Sequence, residues 1–180
     1  MEESSIGETG VLTPAPEWLP APAGTPTPTA TPAEAIAIPL PGDAALPKIS
    51  AGTPPNVAAA LRLVEDGREQ MRQQRYDRAL ERFERAVAID PTTPYGYYFL
   101  APVHYLKKDY DQAIAFANRA AGLGARADKT FIGRVYSLQG TVYEEVGRYP
   151  DARKAYEKAI RSDPDNLAAQ VGVARLNAGQ

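Results

Sequence analysis

Small and aromatic residues recur along the last two-thirds of the chain in three related blocks. The first ends QQRYDRALERFERAVAIDP, the second contains KKDYDQAIAFANRAAGLG, and the third ends VGRYPDARKAYEKAIRSDP. In each, a tyrosine is followed three residues on by alanine. Four residues further stands Phe83, Ala117 or Tyr156, and three beyond that another alanine. The first alanines (Ala79, Ala113 and Ala152) are 34 and then 39 residues apart. Positions i, i+4 and i+7 share one face of an α-helix, so Ala79, Phe83 and Ala86 form a stripe that admits a neighbouring helix closely and fills the gap beside it with a ring. Pro91 and Pro164, each after an aspartate, close their helices, and Gly67 and Gly140 lie twelve residues before the first alanine, where two paired helices cross tightly.

Repetition at this period is the mark of a stacked helical array. The blocks resemble the tetratricopeptide-repeat (TPR) family over about residues 57–178. The resemblance implies an all-α fold: a TPR solenoid of three helix-turn-helix repeats (about 60–93, 94–132 and 133–166) plus a C-terminal cap helix, 166–177. It predicts helices near 57–74, 77–89, 94–107, 110–122, 128–147 and 150–162, with the last resembling a solvating cap that carries Leu167, Val171 and Ala174. Block two departs from the pattern. It has Ala101 for the small glycine and His104 for a tyrosine, lacks a closing proline, and places Pro102 inside its first helix, where a kink is expected. Five extra residues around Arg126–Thr130 lengthen the approach to the next helix.

Within the family, the first helix of each pair lines a concave groove. Carried over residue by residue, that wall consists of Leu61, Val64, Arg68, Met71 and Arg72, then Tyr95, Tyr98, Pro102 and Tyr105, then Arg134, Ser137, Thr141 and Glu144. The tyrosines at spacings of three and seven are either packing between repeats or slots for proline rings. The carboxylate clamp of chaperone-binding members needs lysine and asparagine where this chain has Val64 and Arg68, which argues against an Hsp90-type partner.

Composition divides the chain. Residues 1–55 hold 12 of the 17 prolines, six acidic residues and one basic, a net charge of −5; residues 56–180 hold 16 acidic and 19 basic, a net of +3. We therefore expect two parts: a non-helical, Pro/Thr-rich extended tail over 1–55 and the TPR domain over 56–180. TPAPEWLPAPAGTPTPTATP (13–32) favours solvated polyproline II, which at about 3.1 Å per residue reaches well past a body of this size. Thr25, Thr27, Thr29 and Thr31 alternate with proline as in O-glycosylated stalks, and resemble the Thr-Pro linkers of extracellular and envelope proteins. Trp18 and Leu19, and Ile36, Ile38 and Leu40, are apolar enough to serve as anchors.

Neither part is basic enough for nucleic acid to be the main partner. With no cysteine, thiol catalysis and cysteine-ligated metals are excluded. No HExxH, GxSxG or Gly-rich phosphate loop occurs, and His104 is the lone histidine. Arg68, Arg72, Arg75, Arg78, Arg82 and Arg85 interleave with Glu65, Glu69, Glu81 and Glu84, so i, i+4 pairing accounts for them better than an anion site. The expectation is a protein-binding scaffold, not an enzyme, with no cofactor, no metal and no membrane span. It is expected to take extended or Pro-rich segments, including the tail of a neighbouring copy in a homo-oligomer. The alternatives are a self-assembling, glycosylated filament or surface-layer subunit and a cytosolic adaptor. The tail's composition points outside the cell or to its envelope; Met1-Glu2-Glu3-Ser4-Ser5, without a basic or apolar region, means a cytoplasmic protein or a leader preceding residue 1.

Overall fold

The computed structural model describes residues 46–124 and 128–179. Seven helices and no strand occur among them: α1 (Pro55–Arg72), α2 (Tyr76–Ile89), α3 (Pro94–Leu106), α4 (Tyr110–Leu123), α5 (Lys129–Glu145), α6 (Tyr149–Ser162) and α7 (Leu167–Ala178). Prolines begin α1 and α3, where a missing N–H costs nothing. Side chains cap others: Asp109 accepts from the Gln112 N–H, Asp128 from Phe131 and Asn166 from Ala169. The turns within the three pairs share a geometry, with a left-handed residue at Gln74 (φ 58°), Lys108 (φ 63°) and Gly147 (φ 74°).

Within each pair the helices pack along their length, and successive pairs stack through α2 on α3, α4 on α5 and α6 on α7. The odd-numbered helices also touch one another in order, α1 on α3, α3 on α5 and α5 on α7, whereas no comparable contact joins even-numbered helices. The odd layer is therefore the inner side of a curved stack, and the even layer fans open.

The crossings explain the recurring small residues. A methyl group added at Gly67 would stand 2.4 Å from the Phe83 ring, and one at Gly140 would stand 2.5 Å from Tyr156. In the middle pair Ala101 and Ala117 are both small and fully buried, and Phe116, one position earlier, carries the bulk between Tyr97 (6.4 Å) and His104 (5.0 Å). Phe99 stacks on Phe83 at 5.4 Å and ties the first pair to the second. α3 continues unbroken through Pro102, which is fully buried.

The seventh helix stands where the cap was expected. Ala169, Gly172 and Leu176 face the stack, but Leu167 is 72% exposed and Val171 57%. It does not close the array with a polar outer face, because its outward stripe is apolar.

Candidate functional site

The inner face is built from α1, α3 and α5, and the thirteen groove residues expected on it divide sharply. Val64, Met71, Tyr98 and Thr141 are buried, and so are Leu61, Pro102 and Ser137. Helix angle alone does not sort them: Val64, Tyr98 and Ser137 share one repeat position and are all buried, but Leu61, Tyr95 and Arg134 share another and only Leu61 is buried. Tyr98 lies edge-on to Phe99 (5.1 Å) and Phe131 (5.2 Å). The Thr141 hydroxyl lies 3.2 Å from the Ser137 carbonyl and 3.3 Å from the Tyr156 hydroxyl. These seven are packing residues, a correction to the groove read from the repeats.

Arg68, Arg72, Tyr95, Tyr105 and Arg134 do reach the surface, fully or in part. Tyr95 leans on Phe131 at 4.7 Å, and Tyr105 lies edge-on to Tyr110 at 5.5 Å. The tyrosines thus join repeats to one another and do not stand as a ladder of open slots. Phe131, Tyr110 and Glu145 complete this face and were missed: Phe131 and Glu145 lie at the ends of α5, outside the internal period, and Tyr110 was read from the period only as the start of α4. Glu145 accepts from Tyr105 (3.2 Å) and Tyr110 (3.4 Å), drawing the start of α4 onto the end of α5.

The charges follow from this packing. Arg68 is held by Glu65 at 2.8 Å and lies 5.5 Å over the Phe99 ring, and Arg72 pairs with Glu69. These pairs span three residues where four were expected. Arg134, by contrast, forms no ion pair among the described residues. Burial pushes the Tyr98 hydroxyl far above the usual phenol range, and positive charge from Arg134 and Arg68 pulls it partly back. Burial and then Glu145 raise Tyr105 and Tyr110; burial and then Asp128 raise Tyr95. One phenol thus lies in the field of arginines from α1 and α5.

Other features are structural. His104 Nδ1 lies 3.2 Å from Asp109 Oδ2, closing the turn between α3 and α4. A cleft of about 280 Å³ on the even layer, lined in part by Tyr136, Tyr143, Lys154 and Lys158, has its rings already covered: Lys158 stands over Tyr136 and Arg148 over Tyr143. Among the described residues no cluster of three or more His, Asp or Glu is placed to hold a metal, and no helix is long and apolar enough to cross a membrane. The anchors Trp18, Leu19, Ile36, Ile38 and Leu40 and the threonines Thr25, Thr27, Thr29 and Thr31 lie outside the described residues. So do the readings of surface glycosylation, filament assembly and compartment that rest on them.

Comparison with known proteins follows the same register. A family model described as tetratricopeptide repeat matches residues 93–165, and a second, described as TPR repeat, matches 67–108. The chain carries tetratricopeptide repeats. Its relatives include the small glutamine-rich tetratricopeptide repeat-containing protein 2 of Mycosarcoma maydis, 29% identical over 119 residues. RNA polymerase II-associated protein 3 of Mus musculus is 29% identical over 118. Each match takes in 66% of this chain but only 32% and 17% of those longer proteins. Among solved structures, the first TPR of Spaghetti (RPAP3) bound to the HSP90 peptide SRMEEVD has a TM-score of 0.62 at 23% identity, covering 68% of this chain and 94% of that one. MamA has a TM-score of 0.60 at 25% identity, covering 67% of each.

Proposed function

We propose that this TPR array is a non-enzymatic protein-interaction scaffold whose inner face holds an extended, acidic segment of another protein. One observation carries the reading. Arg68 on α1 stands 5.5 Å over the Phe99 ring of α3, and Arg134 on α5 reaches the surface on the other side of α3, so two guanidinium groups flank the middle of the face. Arg134 has no carboxylate partner there among the described residues, which leaves it available to a ligand. An extended chain suits a surface made of parallel helix edges, and an acidic one suits its charge. That the first TPR of Spaghetti is bound to the acidic peptide SRMEEVD supports this ligand class. It does not carry HSP90 over to this chain, because Val64, at a position where chaperone-binding members need a polar residue, is fully buried.

The chain contains a segment of the proposed chemistry: residues 1–55, Pro-rich, with a net charge of −5. In this reading the tail of a neighbouring copy competes for the face with any foreign ligand. The test is fluorescence anisotropy with two labelled peptides, residues 1–20, which carry Glu2, Glu3, Glu8 and Glu17, and SRMEEVD, each beside a version with its acids changed to lysine. Micromolar binding that weakens with salt and falls by about tenfold in Arg134→Glu is expected. Equal binding of the acidic and lysine versions, or no effect of Arg134→Glu, would overturn the proposal.

A further inference from the structure

We infer that α7 is an open seat for a helix, and that a second copy of α7, antiparallel to the first, fills it. The repeats supply the register. Ala101 lies eleven residues after Asp90, and Ala174 lies eleven residues after Asp163; these aspartates cap α2 and α6 in the same extended conformation. Ala174 therefore occupies the crossing position of Gly67, Ala101 and Gly140, where each earlier odd helix receives its own even-numbered partner. No helix follows α7 among the described residues. The face that would receive one consists of Leu167, Val171, Ala174 and Ala178, at spacings of four, three and four, and all four are exposed. Leu167 and Val171 are among the most exposed large apolar side chains of the array.

The stripe is complementary to itself. In an antiparallel pair with its two-fold axis between Val171 and Ala174, Leu167 of one copy meets Ala178 of the other, and Val171 meets Ala174. Each large side chain then faces a small one, the arrangement an isologous interface needs. Charge raises no obstacle. The only charged residue on α7 is Arg175, and it is turned to Glu144 of its own chain at 2.5 Å. A helix of a different protein need not have this symmetry, so the second copy is the occupant the stripe specifies.

The full-length chain lacks cysteine, which makes the test direct. Val171→Cys and Ala174→Cys variants, mixed in equal amounts and oxidised, should yield the mixed disulfide dimer well above the twofold excess over either self-linked dimer that random pairing gives, because only the mixed pair is in register. Sedimentation velocity should show a dimer at about 10–100 µM, the range for an interface smaller than standard, and Val171→Glu should raise the dissociation constant by at least about tenfold. Val171→Glu should keep its helical circular dichroism and its affinity for the acidic peptide, which separates this contact from the inner-face reading. A monomer throughout that range, or a mixed dimer at no more than twice either self-linked one, would overturn the inference; so would association that Val171→Glu leaves unchanged.

Discussion

Gly140 and Gly122 turn the packing argument into a paired measurement. Both are helical glycines, so replacing either with alanine removes backbone freedom from the unfolded chain and favours the helix by about 0.5–1 kcal/mol. At Gly122, in α4, an added methyl meets nothing within 4 Å, and that gain should appear as measured stability. At Gly140 the methyl would stand 2.5 Å from two carbons of the Tyr156 ring. The ring has no route of retreat. It is 1% exposed, it faces Gly172 of α7 on another side, where an added methyl would stand 2.4 Å away, and its hydroxyl is held by Glu144 at 2.9 Å. Forcing a methyl into a packed site of this kind costs about 2–3 kcal/mol, which outweighs the helix gain and leaves a net loss of about 1–2 kcal/mol. Urea denaturation followed by circular dichroism should show a lower midpoint for Gly140→Ala and an equal or higher one for Gly122→Ala, with unchanged slopes. If Gly140→Ala stabilises as much as Gly122→Ala, the close crossing of α5 and α6 over Tyr156 is wrong.

Gln74 and Lys108 hold the left-handed turn position that Gly147 fills in the third pair, so Gln74→Gly and Lys108→Gly should each add up to about 1 kcal/mol in urea, and Gly147→Ala should lose a similar amount. Asn166 accepts from the Ala169 N–H at 3.0 Å and from the Ser137 hydroxyl at 2.8 Å; Asn166→Ala should cost about 1–2 kcal/mol, and hydrogen exchange should show the loss concentrated in α7. The Tyr98 and Tyr105 phenols are raised well above their ordinary value, and Tyr156 is raised to about 12 by burial, opposed by Thr141 and reinforced by Glu144. Their folded values exceed the unfolded ones, so their stabilisation is complete below about pH 10 and is lost as pH rises. Absorbance at 295 nm should show these three titrating late and together with alkaline unfolding; independent titration near pH 10 would contradict their burial.

The helical skeleton was legible because a strict internal period writes it several times over. Each predicted helix ends within two residues of its observed bounds, and Tyr76, Tyr110 and Tyr149 each open the second helix of a pair, as their recurrence implied. The inner face was less legible, for a physical reason. The family pattern names positions by helix angle, and angle alone does not tell whether a neighbour covers them. Leu61, Tyr95 and Arg134 share one such position in successive repeats, and only Leu61 is buried. Of the residues that distinguish this face, Phe131 and Glu145 stand at the ends of α5, where the period gives no signal, and the recurrence of Tyr110 marks a helix start without telling that its ring turns to Tyr105 and Glu145. The compensation in the middle pair was hidden likewise: Ala101 in place of glycine looked like a defect, but the bulk lost at Ala117 returns at Phe116.

The Glu144 cluster shows what a repeat pattern leaves unsaid about how the array ends. Glu144 from α5 receives the Tyr156 hydroxyl from α6 and the Arg175 guanidinium from α7 at 2.5 and 2.6 Å, so one carboxylate binds three helices. Burial alone would raise its pKa, but hydrogen bonds from Arg175 and Tyr156 overcome that and hold it below the ordinary glutamate value. A depressed folded value means the clasp contributes fully above about pH 4.5 and is lost as pH falls through the folded pKa. Glu144→Gln keeps the shape but removes the charge, and should cost about 1–2 kcal/mol near neutral pH. The difference from the parent should shrink in acid, where the parent's own carboxyl is protonated. A constant difference from pH 7 to 3, measured by urea unfolding, would mean that the charge plays no part and that packing against Gly172 alone seats α7.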